Sequence, residues 1–303
     1  MTALRAAWAW LFRRPYLVLA ATATMWAGNA IAGRLAVGEI SPMALTALRW
    51  LIALGALAAI AGPQIRAEAP SLLPRWRYVL LMGALGYTAF NAMFYIAAHH
   101  TTAVNMAIIQ GGMPALVLLG GLAAFGTRIR GLQIIGMVVT LVGVALVATK
   151  GDLTTIMGVA FNVGDVWMLT SSVLYAGYTV FLRDRPSVSG LTLFAVFAAV
   201  AFVTSLPLVA YEMASGTVQW PTPKGWAIMA FIGLFPSFLA QLFFMRGVEL
   251  IGPGRAGLFV NLVPVFGALM AVLILGEPFH LHHAAALVLV LGGIFIAERV
   301  GGR

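Results

Sequence analysis

Hydrogen-bonding and aromatic side chains recur inside the apolar stretches of this chain, where such groups are costly to bury. Tyr87, Asn91 and Tyr95 are four residues apart, so on a helix they lie on one side. Tyr175 and Tyr178 share a helix face in the same way. Amides and phenols hold polar solutes by hydrogen bonds, and aromatic rings stack on apolar groups. The pattern therefore predicts a binding site for a small solute within the apolar part of the chain.

The candidate site residues are amide, phenol and indole side chains that cluster within apolar stretches. They are Trp26, Asn29, Tyr87, Asn91, Tyr95, Gln110, Trp167, Tyr175, Tyr178, Gln241 and Asn261. The alternative is that they only hold helices together, as polar side chains often do in membranes. Their occurrence in matched stretches of both halves of the chain favours a shared binding site.

Two prolines interrupt apolar stretches about midway, with glycines nearby. Pro114 and Pro264 each free a backbone carbonyl and permit a kink. Because they occupy matching positions in the two halves, we predict that they are hinge or gating points rather than packing kinks alone.

Few ionisable residues fall within the apolar stretches. Arg49, in Leu48-Arg49-Trp50, either meets a substrate carboxylate or snorkels and binds helix-end carbonyls; its uniformly apolar surroundings favour the second interpretation. Asp165 and Glu277 are predicted to cap helices. Because no carboxylate lies near the middle of a stretch, the sequence favours facilitated diffusion, exchange, or coupling through a group that it does not identify.

No metal or cofactor site is expected. The chain has no cysteine. Its histidines cluster in two turns, at His99-His100 and at His280, His282 and His283, without nearby carboxylates. We interpret both clusters as solvated turns, because a metal site needs further ligands.

The composition is that of a chain embedded in a lipid bilayer. Of 303 residues, 62% are hydrophobic and 9% are charged, whereas soluble domains carry about 25% charged residues. The net charge of +9 is scattered among short loops, so nucleic acid is not expected as a partner. Arg13-Arg14, an apolar run and Ala30-Ile31-Ala32 are reminiscent of a signal peptide, but the run is long enough to span, so we predict a retained first helix.

Ten apolar segments are long enough to cross a bilayer core of about 30 Å, which needs about 20 residues. Lipid leaves no partner for unpaired backbone groups, so each segment is predicted to be a helix. The predicted spans 1 to 10 are, in order, residues 16–37, 42–61, 77–98, 102–125, 130–149, 163–183, 188–213, 225–246, 253–275 and 279–298.

The second half of the chain repeats the first, which divides it into five-helix repeats at residues 1–150 and 151–303. The matched features are Trp26-Ala27-Gly28 with Tyr175-Ala176-Gly177, Arg34 with Arg183, Asn91 with Gln241, Pro114 with Pro264, Gly126 with Gly276, and Gly143 with Gly293. An odd number of spans per repeat inverts one copy relative to the other. Inverted repeats are typical of proteins that alternate access to a central site.

Basic residues predict the orientation. One set of loops and both termini carry Arg5, Arg13, Arg14, Arg66, Arg75, Arg77, Arg128, Arg130, Arg183, Arg185, Arg246, Arg255, Arg299 and Arg303. The opposite loops carry only Lys150 and Lys224. Cytoplasmic loops are enriched in Lys and Arg, so both termini are predicted to be cytoplasmic.

Glycines within the spans are predicted to let helices approach closely. They are Gly83, Gly86, Gly136, Gly143, Gly233, Gly292 and Gly293. Spans 5 and 10 are rich in Gly, Val, Leu and Ala, so we expect them to act as scaffold or as an interface.

These motifs resemble the drug/metabolite transporter superfamily, specifically its EamA-type members, over nearly the whole chain. The resemblance is carried by Trp26-Ala27-Gly28, Tyr175-Ala176-Gly177, Leu48-Arg49-Trp50, the prolines of spans 4 and 9, and Gly276-Glu277-Pro278. The chain departs from the pattern at Gly126-Thr127-Arg128, which lacks the usual glutamate after the glycine. Within the superfamily it is most similar to the YddG-type amino-acid exporters.

The resemblance implies an all-α membrane protein that exports amino acids, aromatic ones included, across a bacterial inner membrane. It also implies that spans 1, 3, 4, 6, 8 and 9 line a central cavity. The alternatives are a multidrug carrier, for which an aromatic cage would suffice, and a nucleotide-sugar or sugar-phosphate carrier, which should need paired cations where only Arg49 is available. A lipid-modifying membrane enzyme would need an acidic metal-binding pair or a histidine nucleophile, and the sequence contains no such motif.

Overall fold

The computed structural model describes residues 2–36, 38–101, 103–158, 162–275 and 278–298. These residues are mostly helical and contain no strand. The all-α prediction is therefore confirmed, and every predicted span is occupied by helix.

The first half contains an N-terminal helix and five spans. The helices are Thr2–Leu11, Pro15–Leu35 (span 1), Pro42–Glu68 (span 2), Trp76–Gly83 with Phe90–His100 (span 3), Ala103–Gly111 with Met113–Phe125 (span 4) and Gly131–Ala148 (span 5). The second half contains Val163–Phe181 (span 6), Gly190–Ala214 (span 7), Pro223–Ile232 with Ala240–Ile251 (span 8), Pro253–Leu258 with Leu262–Leu275 (span 9) and Leu281–Glu298 (span 10).

Several helices are long and apolar enough to cross a bilayer by length and composition. Five stretches of the described chain meet this criterion: Pro42–Ala97, Gly131–Ala148, Gly190–Ala214, Pro223–Ile251 and Pro253–Met270. The first has 56 residues and covers spans 2 and 3 together. Met113–Phe125 and Leu281–Ala297 are shorter apolar helices. The chain is thus a multi-pass membrane protein.

Span 2 differs most from its predicted bounds. The sequence predicts an end at residue 61 because Gly62-Pro63 follows, but the helix continues to Glu68. The proline is accommodated by a local kink, where Ala61 has φ −137° and ψ 17°. A proline can thus bend a helix without ending it.

Spans 3 and 8 each contain a π-helical segment at matching positions of the two halves. Ala84–Ala89 is π-helical in span 3, and Gly233–Leu239 is π-helical in span 8. Such segments are rare and often mark functional sites. Glycine lets each approach a neighbouring span: a Cβ on Gly83 would lie 2.7 Å from Val200, and one on Gly233 would lie 2.5 Å from Ile52. The predicted packing roles of these two glycines are confirmed.

Spans 4 and 9 are both interrupted, but the interruptions precede the prolines. Span 4 breaks at Gly112, two residues before Pro114, and span 9 contains a 3₁₀ turn over Phe259–Asn261 before Pro264. A proline is tolerated in the first turn of a helix, because backbone N–H groups there have no acceptor within the helix and none is lost when proline lacks its N–H. Each proline therefore begins the second part of a broken helix, and a gating role for the breaks stays a prediction.

Spans 5 and 10 pack against each other along a glycine seam. A Cβ on Gly136 would lie 2.4 Å from the carbonyl oxygen of Gly293, and one on Gly293 would lie 2.6 Å from the carbonyl oxygen of Gly136. Gly143 faces Val290 at 2.8 Å in the same way. The packing role predicted for Gly292 is wrong, because no atom of the described residues lies within 4 Å of a Cβ built there.

Spans 2 and 7 are joined at both ends by glutamates that cap each other's first turn. At one end Glu212 of span 7 accepts hydrogen bonds from the hydroxyl of Ser41 (2.6 Å) and from the backbone N–H of Met43 (3.0 Å). At the other end Glu68 of span 2 accepts from the backbone N–H of Ser189 (3.0 Å). Helix N-termini have unpaired N–H groups and favour negative charge. The two carboxylates therefore tie one span of each half into a pair.

We expect Glu212→Ala to lower the free energy of unfolding by about 1–3 kcal/mol, since it leaves buried donors at the start of span 2 without a partner. Glu212 is buried, whereas Glu68 is partly exposed. Glu68→Ala is the matched control and should cause a smaller loss, because water can replace the carboxylate. Unfolding of the purified variants in detergent measures both, and equal losses would contradict the prediction.

Loops of the two halves also meet near Glu212. The backbone N–H of Ser41 donates to the carbonyl of Gln219 (2.9 Å), and that of Thr222 donates to the carbonyl of Glu39 (3.0 Å). Hydrogen bonds from Thr222 and Lys224 hold the pKa of the Glu39 carboxyl below its ordinary value. We call the end of the molecule that carries the arginine-rich loops the basic end. These contacts join loops of the two halves at the opposite end.

Candidate substrate cavity

A cavity of about 100 Å³ lies between the two halves of the chain. It is bounded by side chains of spans 1 to 4 from the first half and of spans 6, 8 and 9 from the second. The lining residues are Trp26, Asn29, Arg49, Trp50, Gly86, Tyr87, Phe90, Asn91, Phe94, Gln110, Met113, Tyr175, Pro236, Gln241, Val260 and Val263. All six spans that the sequence analysis expected to line a central cavity contribute residues to it, and span 2 lines it as well.

The structure brings most of the candidate residues together. Seven of them line the cavity: Trp26, Asn29, Tyr87, Asn91, Gln110, Tyr175 and Gln241. Tyr95 and Tyr178 do not line it, but each hydrogen-bonds a residue that does. The π-helical segments supply Gly86, Tyr87 and Pro236 to its wall.

Two candidate residues lie elsewhere. Asn261 is fully buried and its amide donates to the hydroxyl of Thr140 at 2.8 Å, so it joins span 9 to span 5. The Trp167 side chain is 37% exposed on the surface of span 6. Neither lines the cavity, so polar or aromatic character at helical spacing was not enough to place a residue there.

Arg49 is buried in the cavity wall, and the interpretation that it snorkels or binds helix-end carbonyls is wrong. Its Nε donates to the hydroxyl of Ser237 (2.7 Å), and its Nη1 donates to Asn91 Oδ1 (3.1 Å) and to the hydroxyl of Tyr95 (3.0 Å). Its side chain is therefore held by residues of spans 3 and 8. No carboxylate in the described part of the chain forms an ion pair with it.

Below Arg49, toward the basic end, a hydrogen-bonded group supports the cavity. The amide nitrogen of Gln241 donates to the hydroxyl of Tyr178 (2.8 Å), which in turn pairs with the hydroxyl of Tyr87 (3.0 Å). All three side chains are buried. The group spans both halves, because Tyr87 belongs to the first and the other two to the second.

Aromatic rings form much of the remaining wall. Trp50 stacks on Tyr87 with centroids 4.6 Å apart, and Phe90 lies 4.7 Å from Tyr175. Trp26 meets Tyr175 edge to face at 5.8 Å. The last contact joins residues that the repeat relates to each other, so the two copies of the motif meet at the cavity.

Three polar atoms in the cavity lining have no hydrogen-bond partner among the described residues. They are Asn29 Oδ1, Trp50 Nε1 and the hydroxyl of Tyr175, all buried. Leaving such a group unpaired costs about 1–3 kcal/mol each. The cavity thus presents unused donors and acceptors beside apolar rings, which is what recognition of a small amphiphilic solute requires.

A second cavity, of about 550 Å³, opens at the basic end. Its wall carries five arginines and one glutamate: Arg128, Arg130, Arg183, Arg185, Arg255 and Glu249. Arg185 forms an ion pair with Glu249, and Arg183 donates to the hydroxyl of Thr127 at 2.8 Å. This vestibule is within about one helical turn of the central cavity, since Val117 and Met245 line it while Met113 and Gln241 line the other.

The remaining ionisable candidates lie at span ends. Asp165 completes a capping box at the start of span 6. Its carboxylate accepts a hydrogen bond from the backbone N–H of Asn162 (2.9 Å), and the Asn162 side chain accepts one from the backbone N–H of Asp165. The predicted capping role is confirmed. His280, His282 and His283 lie close together, but the described residues contain no group of three His, Cys, Asp or Glu arranged to hold a metal. Gly276 and Glu277 fall outside the described residues.

Sequence reasoning missed several lining residues. Trp50 lines the cavity but was not a candidate, although it is next to Arg49. Ser237 does not line the cavity but accepts a hydrogen bond from Arg49, and it too was not a candidate, although it is four residues before Gln241. Phe90 and Phe94 share a helix face with Tyr87 and Asn91, so their spacing could have identified them. The π-helical turn that turns Ser237 toward Arg49 has no comparable signal in the sequence.

Comparisons with known proteins agree with this architecture. The EamA-like transporter family matches residues 13–149 and again residues 162–298. An uncharacterized transporter of Bacillus subtilis, YyaM, is 29% identical over 230 residues, which cover 73% of this chain and 72% of that protein. A probable terminal-alkyne amino-acid exporter of Streptantibioticus cattleyicolor is 25% identical over 264 residues, covering 86% and 84%.

A solved structure has the same fold, with a TM-score of 0.78 at 21% identity, covering 95% of this chain and 97% of its own. The family match covers nearly all of the described chain, once in each half. The ten spans, the matched breaks and the cavity between the halves fit this assignment. The chain belongs to the EamA-like transporter family.

Proposed function

We propose that this transporter exports small amino acids through the central cavity by alternating access. The observation that carries the proposal is the cavity itself, which is lined by both halves and presents a buried cation, unpaired polar atoms and aromatic rings. A site at the interface of repeats is the expected place for a carrier to bind its substrate. The relative described as a probable amino-acid exporter supports the same substrate class.

The size and charge of the cavity favour this proposal over the alternatives. Sites for drug-sized ligands are about 300–1,000 Å³, whereas this cavity is about 100 Å³. That argues against a multidrug carrier. A phosphate substrate calls for several cations, and Arg49 is the sole Lys or Arg among the described residues that line the central cavity. A nucleotide-sugar or sugar-phosphate carrier is therefore disfavoured too.

We further propose that the chain lies in a bacterial inner membrane with the basic end and both termini in the cytoplasm. The distribution of Lys and Arg supports this orientation. The arginine-lined vestibule would then face the cytoplasm, from which an exporter collects its substrate. Positive potential in such a vestibule raises the local concentration of solutes that carry a carboxylate.

Counterflow in liposomes that contain the purified protein tests the function. Liposomes loaded with one unlabelled amino acid should accumulate the same labelled amino acid, whereas liposomes loaded with a sugar or a nucleoside should not. We expect the smaller apolar amino acids to give the strongest signal, given the volume of the cavity. If no amino acid is exchanged, the proposed function is wrong.

A further inference from the structure

We propose that the central cavity recognises the two charged ends of an α-amino acid at separate places, the carboxylate at Arg49 and Trp50 and the ammonium at Asn29 and Tyr175. The inference rests on the proposed function and assigns the polarity of substrate binding. It is drawn from groups of the cavity wall that have no partner among the described residues: N–H donors of Arg49 and Trp50 on span 2, and on spans 1 and 6 an amide oxygen and a phenol hydroxyl that can accept hydrogen bonds.

The donor pair is formed by consecutive residues of span 2. Arg49 uses Nε and Nη1 for hydrogen bonds within the protein, and no described residue accepts a hydrogen bond from its Nη2. Trp50 Nε1 is a buried N–H without a partner among the described residues. The guanidinium lies over the Trp50 ring at 5.4 Å, so the two groups are neighbours. Together they offer N–H donors and a positive charge, which a carboxylate satisfies.

Asn91, Tyr95 and Ser237 position the guanidinium rather than bind substrate. Their three hydrogen bonds fix the orientation of Arg49, and the Asn91 amide is itself held by the carbonyl of Tyr87 at 2.5 Å. An arginine fixed in this way loses little side-chain entropy when it binds a ligand. All its protein partners are neutral, so the positive charge remains uncompensated until an anion arrives.

The acceptor pair lies on spans 1 and 6. Asn29 Oδ1 is an unpaired acceptor, and the unpaired hydroxyl of Tyr175 can accept a hydrogen bond as well. Trp26 connects them, because it lies one turn before Asn29 and its ring meets the ring of Tyr175 at 5.8 Å. An ammonium supplies the donors that both oxygens lack, and the aromatic faces around Tyr175 favour a cation.

The remaining wall is apolar and takes the substrate side chain. Phe94, Met113, Val260 and Val263 line the cavity without offering hydrogen bonds from their side chains. The described lining contains no carboxylate to pair with a basic substrate side chain. The site is thus suited to amino acids with small apolar side chains and no net charge.

Binding to the purified protein in detergent tests the assignment with three probes that differ by one charged group. L-Valine carries both charges, L-valinamide lacks the carboxylate, and N-acetyl-L-valine lacks the ammonium. The wild type should bind L-valine about 10- to 100-fold more tightly than either analogue, as expected for loss of a charge-assisted hydrogen-bonded contact. Equal affinity for the three probes would overturn the inference.

Two substitutions locate the contacts. Arg49→Gln should abolish the preference for L-valine over L-valinamide and keep the preference over N-acetyl-L-valine, whereas Asn29→Leu should give the reverse pattern. Arg66→Gln, on the exposed far end of the same span, removes an equal charge and should bind as the wild type. A wild-type preference that persists in Arg49→Gln contradicts the carboxylate assignment, and one that persists in Asn29→Leu contradicts the ammonium assignment.

The wild-type comparison decides the inference even where a variant fails to fold, since it needs no substitution. A protein that exchanges amino acids but ignores their charges retains the proposed function and loses this inference. A protein that binds and exchanges no amino acid loses both.

Discussion

Gly293→Ala is expected to destabilise the protein by about 1–3 kcal/mol or more, because the added methyl has no room in the seam between spans 5 and 10. It would lie 2.6 Å from the carbonyl oxygen of Gly136, 2.6 Å from Thr140 Cγ2 and 2.8 Å from the Thr140 nitrogen. Two of these atoms are backbone, so no side-chain rotation relieves the contact. The helices must separate, and the close packing along the seam is lost.

Gly292→Ala is a control that differs by one position. A Cβ at Gly292 would meet no atom of the described chain within 4 Å, and both substitutions gain the same helix propensity, about 1 kcal/mol in favour of alanine. Gly292→Ala should therefore unfold at the same temperature as the wild type or slightly above it. Thermal unfolding in detergent compares the three proteins. A Gly293→Ala protein as stable as Gly292→Ala would show that the seam is looser than the structure has it.

The seam also shows what the repeat in the sequence can and cannot predict. Gly143 and Gly293 are matched across the halves, and both lie where their spans approach closely. Gly292 is the neighbouring residue and also a glycine, yet a Cβ built on it would point away from span 5 and meet no described atom within 4 Å. Consecutive residues of a helix lie about 100° apart around its axis. Because the sequence does not fix the rotation of the helix about that axis, it cannot tell which of two neighbouring glycines makes the contact.

The spans themselves were predictable because their signal is long and redundant. About 20 apolar residues per span identify a helix even where a proline interrupts it. The interruption at residue 61 was placed correctly but is a kink rather than a helix end. The breaks at Gly112 and Phe259–Asn261 precede the predicted prolines by a few residues, because a proline disturbs the turn before it and neighbouring groups decide where the disturbance falls. The two π-helical segments depend on such local contacts and left no trace in the apolar pattern.

The candidate site was predictable in its composition and less so in its roles. Helical spacing identified Tyr87, Asn91 and Tyr175, which line the cavity. It could not show which of these side chains already have hydrogen-bond partners within the protein. The oxygen and the nitrogen of the Asn91 amide each have a partner, in Arg49 and Tyr87, whereas the Tyr175 hydroxyl has none among the described residues. That difference arises from contacts between spans that are distant in sequence.

Arg49 shows the same limit in the opposite direction. Its apolar neighbours in span 2 favour a peripheral helix, because the sequence alone does not reveal that Glu212 and Glu68 fasten this span to span 7. Once span 2 is held there, its arginine faces the interior. A buried cation without a carboxylate partner is costly. Arg49 donates only to three neutral side chains, and its Nη2 has no acceptor among the described residues, so these contacts point to an anionic ligand.

Tyr178→Phe and Tyr175→Phe remove the same atom from neighbouring turns of span 6 and should have opposite consequences. Tyr178→Phe leaves the amide nitrogen of Gln241 without its partner and the hydroxyl of Tyr87 with only the weak acceptor Met245 Sδ (3.9 Å), so we expect a loss of about 1–3 kcal/mol in the free energy of unfolding. Tyr175→Phe removes a hydroxyl that has no described partner, so the stability of the substrate-free protein should stay the same or rise.

For substrate affinity in transport, we expect Tyr175→Phe to be the more damaging of the two substitutions. Because the Tyr175 hydroxyl is an acceptor for the ammonium, Tyr175→Phe should raise the concentration of L-valine needed for half-maximal counterflow, while the folded fraction of Tyr178→Phe should retain most of its affinity. Unfolding in detergent and counterflow in liposomes, measured on the same two preparations, separate the effects. If Tyr175→Phe is the less stable protein, its hydroxyl already has a partner within the fold, and the acceptor pair of the cavity would reduce to Asn29 alone.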